Sequence, residues 1–131
     1  MEIKKEYFIM FPLTKVYDAW VSSETVIEPA TSMDIDPVVG GHYRLIMDTP
    51  DFTLMNEGTF SVVEPEKRVV YSWEWNHDGE VTEIDVRFFA IDGLTKIEIT
   101  HTGFTKEESV TNHDSGWDSY MGGLIEHLTS N

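Results

Sequence analysis

The chain has 131 residues, with 24 Asp and Glu against 9 Lys and Arg, and a formal net charge of −15. That sign repels phosphate backbones and sets aside nucleic acid and anionic membrane surfaces as partners, while 40% hydrophobic and 12% aromatic content is too apolar for a disordered acidic segment. There is no cysteine, hence no disulfide framework and no thiolate nucleophile or metal ligand. No apolar run reaches the roughly 18 residues of a membrane span, and residues 1–11 lack the apolar core of a signal peptide, so one cytoplasmic domain over 1–131 is expected.

Ile3, Lys5, Tyr7 and Ile9 alternate as a first strand with one buried face. Phe11-Pro12 breaks it, and Leu13, Val16, Tyr17 and Trp20 follow at helical spacing. Ser22 or Ser23 is read as the cap of a second short helix carrying Val26 and Ile27 and ended by Pro29.

From Met33 the period becomes 2. Met33–Asp36 is a short strand, Gly40-Gly41 a turn, and Tyr43, Leu45 and Met47 form one face of the next strand. Thr49–Thr53 connects to a strand over Gly58–Val63, which turns at Glu64–Lys67. Val69, Tyr71, Trp73 and Trp75 then share a face, with a hairpin at Asn76–Gly79 that places the tight turn on Asp78-Gly79. Ile84, Val86 and Phe88 alternate with Glu83, Asp85 and Arg87, whose outward charges are expected to pair with Lys96. Asp92-Gly93 turns again, and Ile97, Ile99 and His101 face inward. Last, Val110, Asp114, Trp117, Met121, Leu124, Ile125 and Leu128 form a helical stripe about 30 Å long. The fold class is α+β: about seven antiparallel strands, two short helices after the first, and one long C-terminal helix.

One helix about 10 Å wide cannot cover a flat sheet more than ~30 Å across, so the sheet must curl around it and tends to leave a gap. The inward positions are rich in aromatics and Met: Trp20, Tyr43, Met47, Phe60, Tyr71, Trp73, Trp75, Phe88, Trp117 and Met121. Either these fill a solid core, or they wall a cavity for an apolar ligand. On the cavity reading the candidate ligand-binding residues are Trp20, Tyr43, Met47, Phe60, Trp73, Phe88, His101, Trp117 and Met121.

Several stretches, in this order and spacing, carry a resemblance. They are Pro12 with Val16–Ala19, Gly40–Tyr43, Gly58–Phe60 through Val63–Pro65, Arg68–Trp73, Thr95–Phe104, and Gly116-Trp117. Together they resemble the helix-grip fold of the START-like (SRPBCC) superfamily, and more narrowly the family named for the C-terminal domain of the activator of heat-shock protein 90 ATPase. Members often carry Trp where this chain reads Pro29-Ala30, and Gly-Gly-Thr where it reads Gly93-Leu94-Thr95. The resemblance implies roles as diverse as hydrophobic-ligand binding, aromatic cyclase-type chemistry and co-chaperone activity.

No G-x-S-x-G, H-E-x-x-H, P-loop or G-x-G-x-x-G is present. His101 and His113 could form an acid–base pair or hold a metal, but without paired ligand spacing a structural role is favoured for both. His77 and His127 are read as solvated, and one of Asp114 and Asp118 as a candidate to face the cavity. The acidic groups at 78–85 are read as a solvated face rather than a calcium site. Three functions follow. The favoured one is binding of an apolar or aromatic small molecule, with no cofactor, no metal and no catalytic residue. The second is a cyclase or dehydratase using His101, His113 or Asp118. The third is a protein-interaction domain, disfavoured because the chain has room for one domain only. A monomer or homodimer is expected.

Overall fold

The computed structural model describes residues 1–27 and 30–130. Alternation over Glu2–Ile9 gives β1. Pro12 stands extended (φ −64°, ψ 149°) at the N-cap of α1, where its missing N–H leaves nothing unsatisfied. Helix α1, Leu13–Trp20, buries Val16, Tyr17, Ala19 and Trp20 along one face. The second short helix does not form: residues 21–27 turn instead, and the Ser22 hydroxyl accepts the Glu24 N–H at 3.1 Å. That local bond competes with helix hydrogen bonding in a segment too short to nucleate a helix unaided. Pro29, expected to end that helix, lies outside the described residues.

The remaining strands are β2 (Ser32–Ile35), β3 (His42–Asp48), β4 (Thr53–Glu64), β5 (Arg68–Trp75), β6 (Val81–Ile91) and β7 (Leu94–Thr102). All pair antiparallel in the order β1-β7-β6-β5-β4-β3-β2, as a curved sheet around α2 (Glu107–Ser130). Strand β4 starts at Thr53, earlier than the expected Gly58, which brings Asn56 onto the sheet. The β6–β7 hairpin turns on Asp92 and Gly93, both left-handed at φ 50° and 81°, as a two-residue turn requires. At β5–β6 the left-handed pair is Asn76 and His77 (φ 46° and 56°), two residues before the expected Asp78-Gly79.

Tyr71 pairs with Ile84, Ile84 with His101, and Phe88 with Ile97, so the inward face is continuous across β5, β6 and β7. The register slip lies in β4, between Phe60 and Val62. One extra residue there moves the inward set from Asn56 and Phe60 to Val63, and bends the strand. On the outer face Arg68 grips Asp85 with two bonds of 3.1 and 2.8 Å. Lys96 meets Glu98 and Glu6 rather than the β6 carboxylates, because its cross-strand partner is Phe8 on one side and Phe89 on the other.

Helix α2 buries Trp117, Met121, Leu124 and Leu128. Asp114 and Ile125, placed on the same stripe from sequence, are exposed. At 100° per residue they lie roughly 50° and 70° from the centre of that stripe, on its shoulder. The solid centre of the core is Val16, Val69, Val86, Ile97 and Leu124, all wholly excluded from solvent. No helix among the described residues is long and apolar enough to cross a membrane.

Candidate functional site

A cavity of about 670 Å³ lies between the N-terminal half of α2 and the inner face of β2–β7. Its position follows from the two shoulders of α2. One shoulder closes onto β1, where Lys5 bonds Asp114 at 3.0 Å and the Tyr7 hydroxyl donates to Asp118 at 2.7 Å. The other carries Ser109, His113, Gly116 and Tyr120 over the hollow of the sheet. Its floor is the inner row of β3, β4 and β5, and Trp20 of α1 closes one end.

Paired rings form the walls. Trp20 stacks on Trp117 with centroids 6.1 Å apart, Tyr43 on Trp73 at 6.4 Å, and Tyr120 sets its edge to Trp20 at 5.2 Å. Beneath them the Tyr43 hydroxyl donates to the Ser72 carbonyl at 2.6 Å, and the Thr59 N–H donates to the Ser72 hydroxyl at 3.0 Å. A Cβ at Gly58 would collide with that same Ser72 carbonyl, so only glycine fits this stretch of β4.

Two indole–imidazole bonds clasp helix to sheet in opposite senses. Trp117 of α2 donates to His101 Nδ1 of β7 at 3.2 Å, and Trp73 of β5 donates to His113 Nε2 of α2 at 3.0 Å. An indole N–H can only donate, which fixes both tautomers. His101 therefore carries its proton on Nε2 and donates to Thr82 Oγ1 (2.7 Å), which in turn donates to the Trp73 carbonyl (3.2 Å). His113 carries its proton on Nδ1 and donates to the Ser109 carbonyl at 2.8 Å. Burial, with His113 close by, holds the His101 pKa down to about 3, so its ring is neutral at pH 7.

The rim is polar. There Glu80 accepts the Thr105 hydroxyl and backbone N–H, both at 2.7 Å, and these bonds pull its pKa down to about 2. They tie the β5–β6 hairpin to the chain entering α2. Asp78, Lys106, Glu108 and Asn112 stand exposed around the opening.

Of the residues proposed from sequence, Trp20, Tyr43, Met47, Phe60, Trp73, His101 and Trp117 line this cavity. Phe88 and Met121 do not. Phe88 is held by the edges of Tyr17 and Trp20 beneath α1, and Met121 packs in the core cluster one turn past Trp117. Both are inward, and alternation alone does not separate a filled inward position from a hollow one. Asp114 and Asp118 lie on the β1 shoulder rather than at the cavity. Among the described residues no group of three or more His, Asp or Glu is placed to hold a metal. Among the lining residues absent from the sequence-based set are Tyr120, Ile84 and Asn56. Asn56 could have been found, since its parity with Phe60 marks it as a polar residue at an inward position.

Nothing among curated proteins matches the sequence. Solved structures do. A protein from Rhodobacter sphaeroides superposes with a TM-score of 0.86 at 16% identity, over 99% of this chain and 93% of its own. The AHSA1-like protein from Aeromonas hydrophila gives 0.80 at 23%, over 99% and 93%. An HSP90 activator from Plasmodium falciparum gives 0.75 at 16%, over 89% and 87%. At these identities the likeness establishes the helix-grip fold. The family model described as "Activator of Hsp90 ATPase homolog 1-like protein" matches residues 10–129. The chain belongs to that family, within the START-like (SRPBCC) superfamily.

Proposed function

We propose that the protein binds one small apolar or aromatic molecule in the cavity between the sheet and α2. The observation that carries this reading is the cavity itself. Its volume of about 670 Å³ falls in the range of small-molecule sites, and its walls include Tyr43, Trp73 and Trp117, whose polar tips are already bonded. Rings held by both stacking and hydrogen bonds resist collapsing into the space between them. The groups an acid–base mechanism would draw on have other duties: both nitrogens of His101 and of His113 are engaged, and Asp118 faces β1.

The test is titration with the neutral probe N-phenyl-1-naphthylamine. Expected are 1:1 binding, quenching of tryptophan emission through Trp20, Trp73 or Trp117, and a raised melting temperature. The gain should be about 2.7 kcal/mol at a hundredfold excess over Kd. A panel of neutral aromatic probes that neither binds nor shifts the melting temperature would overturn the reading. A second reading, contact with a protein partner, is supported by the family's description and by the Plasmodium falciparum HSP90 activator among the structural matches. It predicts a blank probe panel.

A further inference from the structure

Resting on the cavity-binding reading, we infer that the occupant is a neutral, mainly apolar molecule bearing one acceptor oxygen, which takes a hydrogen bond from Asn56 Nδ2. Asn56 sits on β4 between Leu45 of β3 and Trp75 of β5, on the inner face, and is wholly excluded from solvent. Its Oδ1 accepts the Asn76 backbone N–H at 2.9 Å. A backbone N–H can only donate, so this bond fixes which way the carboxamide points. The amide nitrogen is left without a hydrogen-bond partner among the described residues, although the residue lines the cavity. A buried unpaired donor is a standing cost that an apolar residue in the same place would avoid.

Several other polar groups of the inner wall are already committed. Tyr43, Trp73, His101, His113 and Trp117 each bond a protein partner. Asn56 thus supplies a fixed, donor-only point on the sheet wall, which selects an acceptor such as a carbonyl. Charge selects neutrality. Among the described residues the inner wall holds no cation: His101 and His113 each accept an indole N–H on one ring nitrogen, which leaves that nitrogen without a proton, and Lys106 stands exposed on a rim shared with Asp78 and Glu108. A carboxylate drawn inside would lose its water without gaining a counter-ion.

Three naphthalenes separate the possibilities: 2-acetylnaphthalene, its hydrocarbon isostere 2-isopropenylnaphthalene, and 2-naphthoate. The wild-type protein should bind the ketone about tenfold more tightly than the hydrocarbon, and the anion more weakly than the ketone. Asn56→Leu should erase the ketone preference while hydrocarbon binding persists. Tyr120→Phe, which removes a hydroxyl on the helix wall, should keep the preference. Should Asn56→Leu fail to fold, the wild type still decides the matter. The Asn56 side-chain amide resonances should move on adding the ketone and stay in place with the hydrocarbon. Equal affinity for ketone and hydrocarbon, or a preference lost in Tyr120→Phe and kept in Asn56→Leu, would overturn the role of Asn56 and leave cavity binding standing. Binding of none of the three would remove both.

Discussion

The two halves of α2 meet the same sheet in different ways. Past Trp117 the helix lays Met121, Leu124 and Leu128 into a filled core with Val16, Phe88 and Ile97. Before Trp117 it bridges a hollow walled by Trp20, Tyr43, Trp73 and Trp117. The filled half is mostly aliphatic, and none of the side chains named there carries a hydrogen-bonding group. The hollow half is aromatic, and its rings are tied at their polar tips to His101, His113 and Ser72. Close packing holds the first half in place. Ring contacts and hydrogen bonds together hold the second, around space that side chains do not fill. A cavity inside a small domain needs a frame, and the Trp–His clasps supply it here.

The largest effects should come from truncation on either side of that boundary. Leu124→Ala, in the filled half, should cost about 3–5 kcal/mol, because it opens a closed void. Trp117→Ala should cost a similar ~3–5 kcal/mol and free the helix from His101. Trp117→Phe separates the two contributions. It keeps most of the ring and deletes the N–H, leaving His101 Nδ1 buried without a donor, for a cost of about 1–3 kcal/mol. Urea midpoints measure all three. A Leu124→Ala cost below about 1 kcal/mol would show that the half described as filled is not.

The clasps also make the hollow half sensitive to acid. His101 has a folded pKa of about 3 against an unfolded value near 6.5, so its neutral form contributes stability that is whole above about pH 6.5. That contribution is lost as pH falls toward 3, because the unfolded chain takes up the proton first. At pH 5 the loss should be about 2 kcal/mol relative to pH 7. Glu80 has the opposite charge type but a depressed pKa too, and its contribution is lost only below about pH 4.3. The interval from pH 6.5 to 5 therefore reports on the clasp rather than on Glu80. A urea midpoint unchanged between pH 7 and 5 would mean that His101 is not held neutral in the folded protein.

Much of this was legible in the chain. Period-2 alternation placed β5, β6 and β7 in register, because one apolar face leaves no other way to pair them. Asp92-Gly93 announced its turn through backbone preference alone. The bulge in β4 was not legible, since Phe60–Val63 reads as an unbroken strand and the extra residue shows only against β5. Nor was the division of the inward face. Whether Phe88 or Trp73 borders empty space depends on how near α2 and α1 come, and alternation carries no such distance. The clasp partners are separated by 16 and 40 residues. A buried indole announces that it needs an acceptor, but the sequence does not say which.

The smallest expected effect tests the boundary from the helix side. Gly116 and Gly122 both sit inside α2, and a Cβ at either would meet nothing within 4 Å. Neither glycine is required by packing, so each costs the helix about 1 kcal/mol relative to alanine. Gly122→Ala should recover that amount and leave probe binding untouched, because Gly122 does not line the cavity. Gly116→Ala should recover the same amount, yet Gly116 lines the opening. A larger side chain there stands in the way of anything entering: Gly116→Leu should slow association of N-phenyl-1-naphthylamine in stopped flow, while Gly122→Leu should not. By contrast Gly123 already faces Ile27 closely enough that a Cβ would press on that side chain, so Gly123→Ala should gain less than the other two. Equal association rates for the Gly116 and Gly122 leucine variants would show that the probe enters elsewhere along the rim.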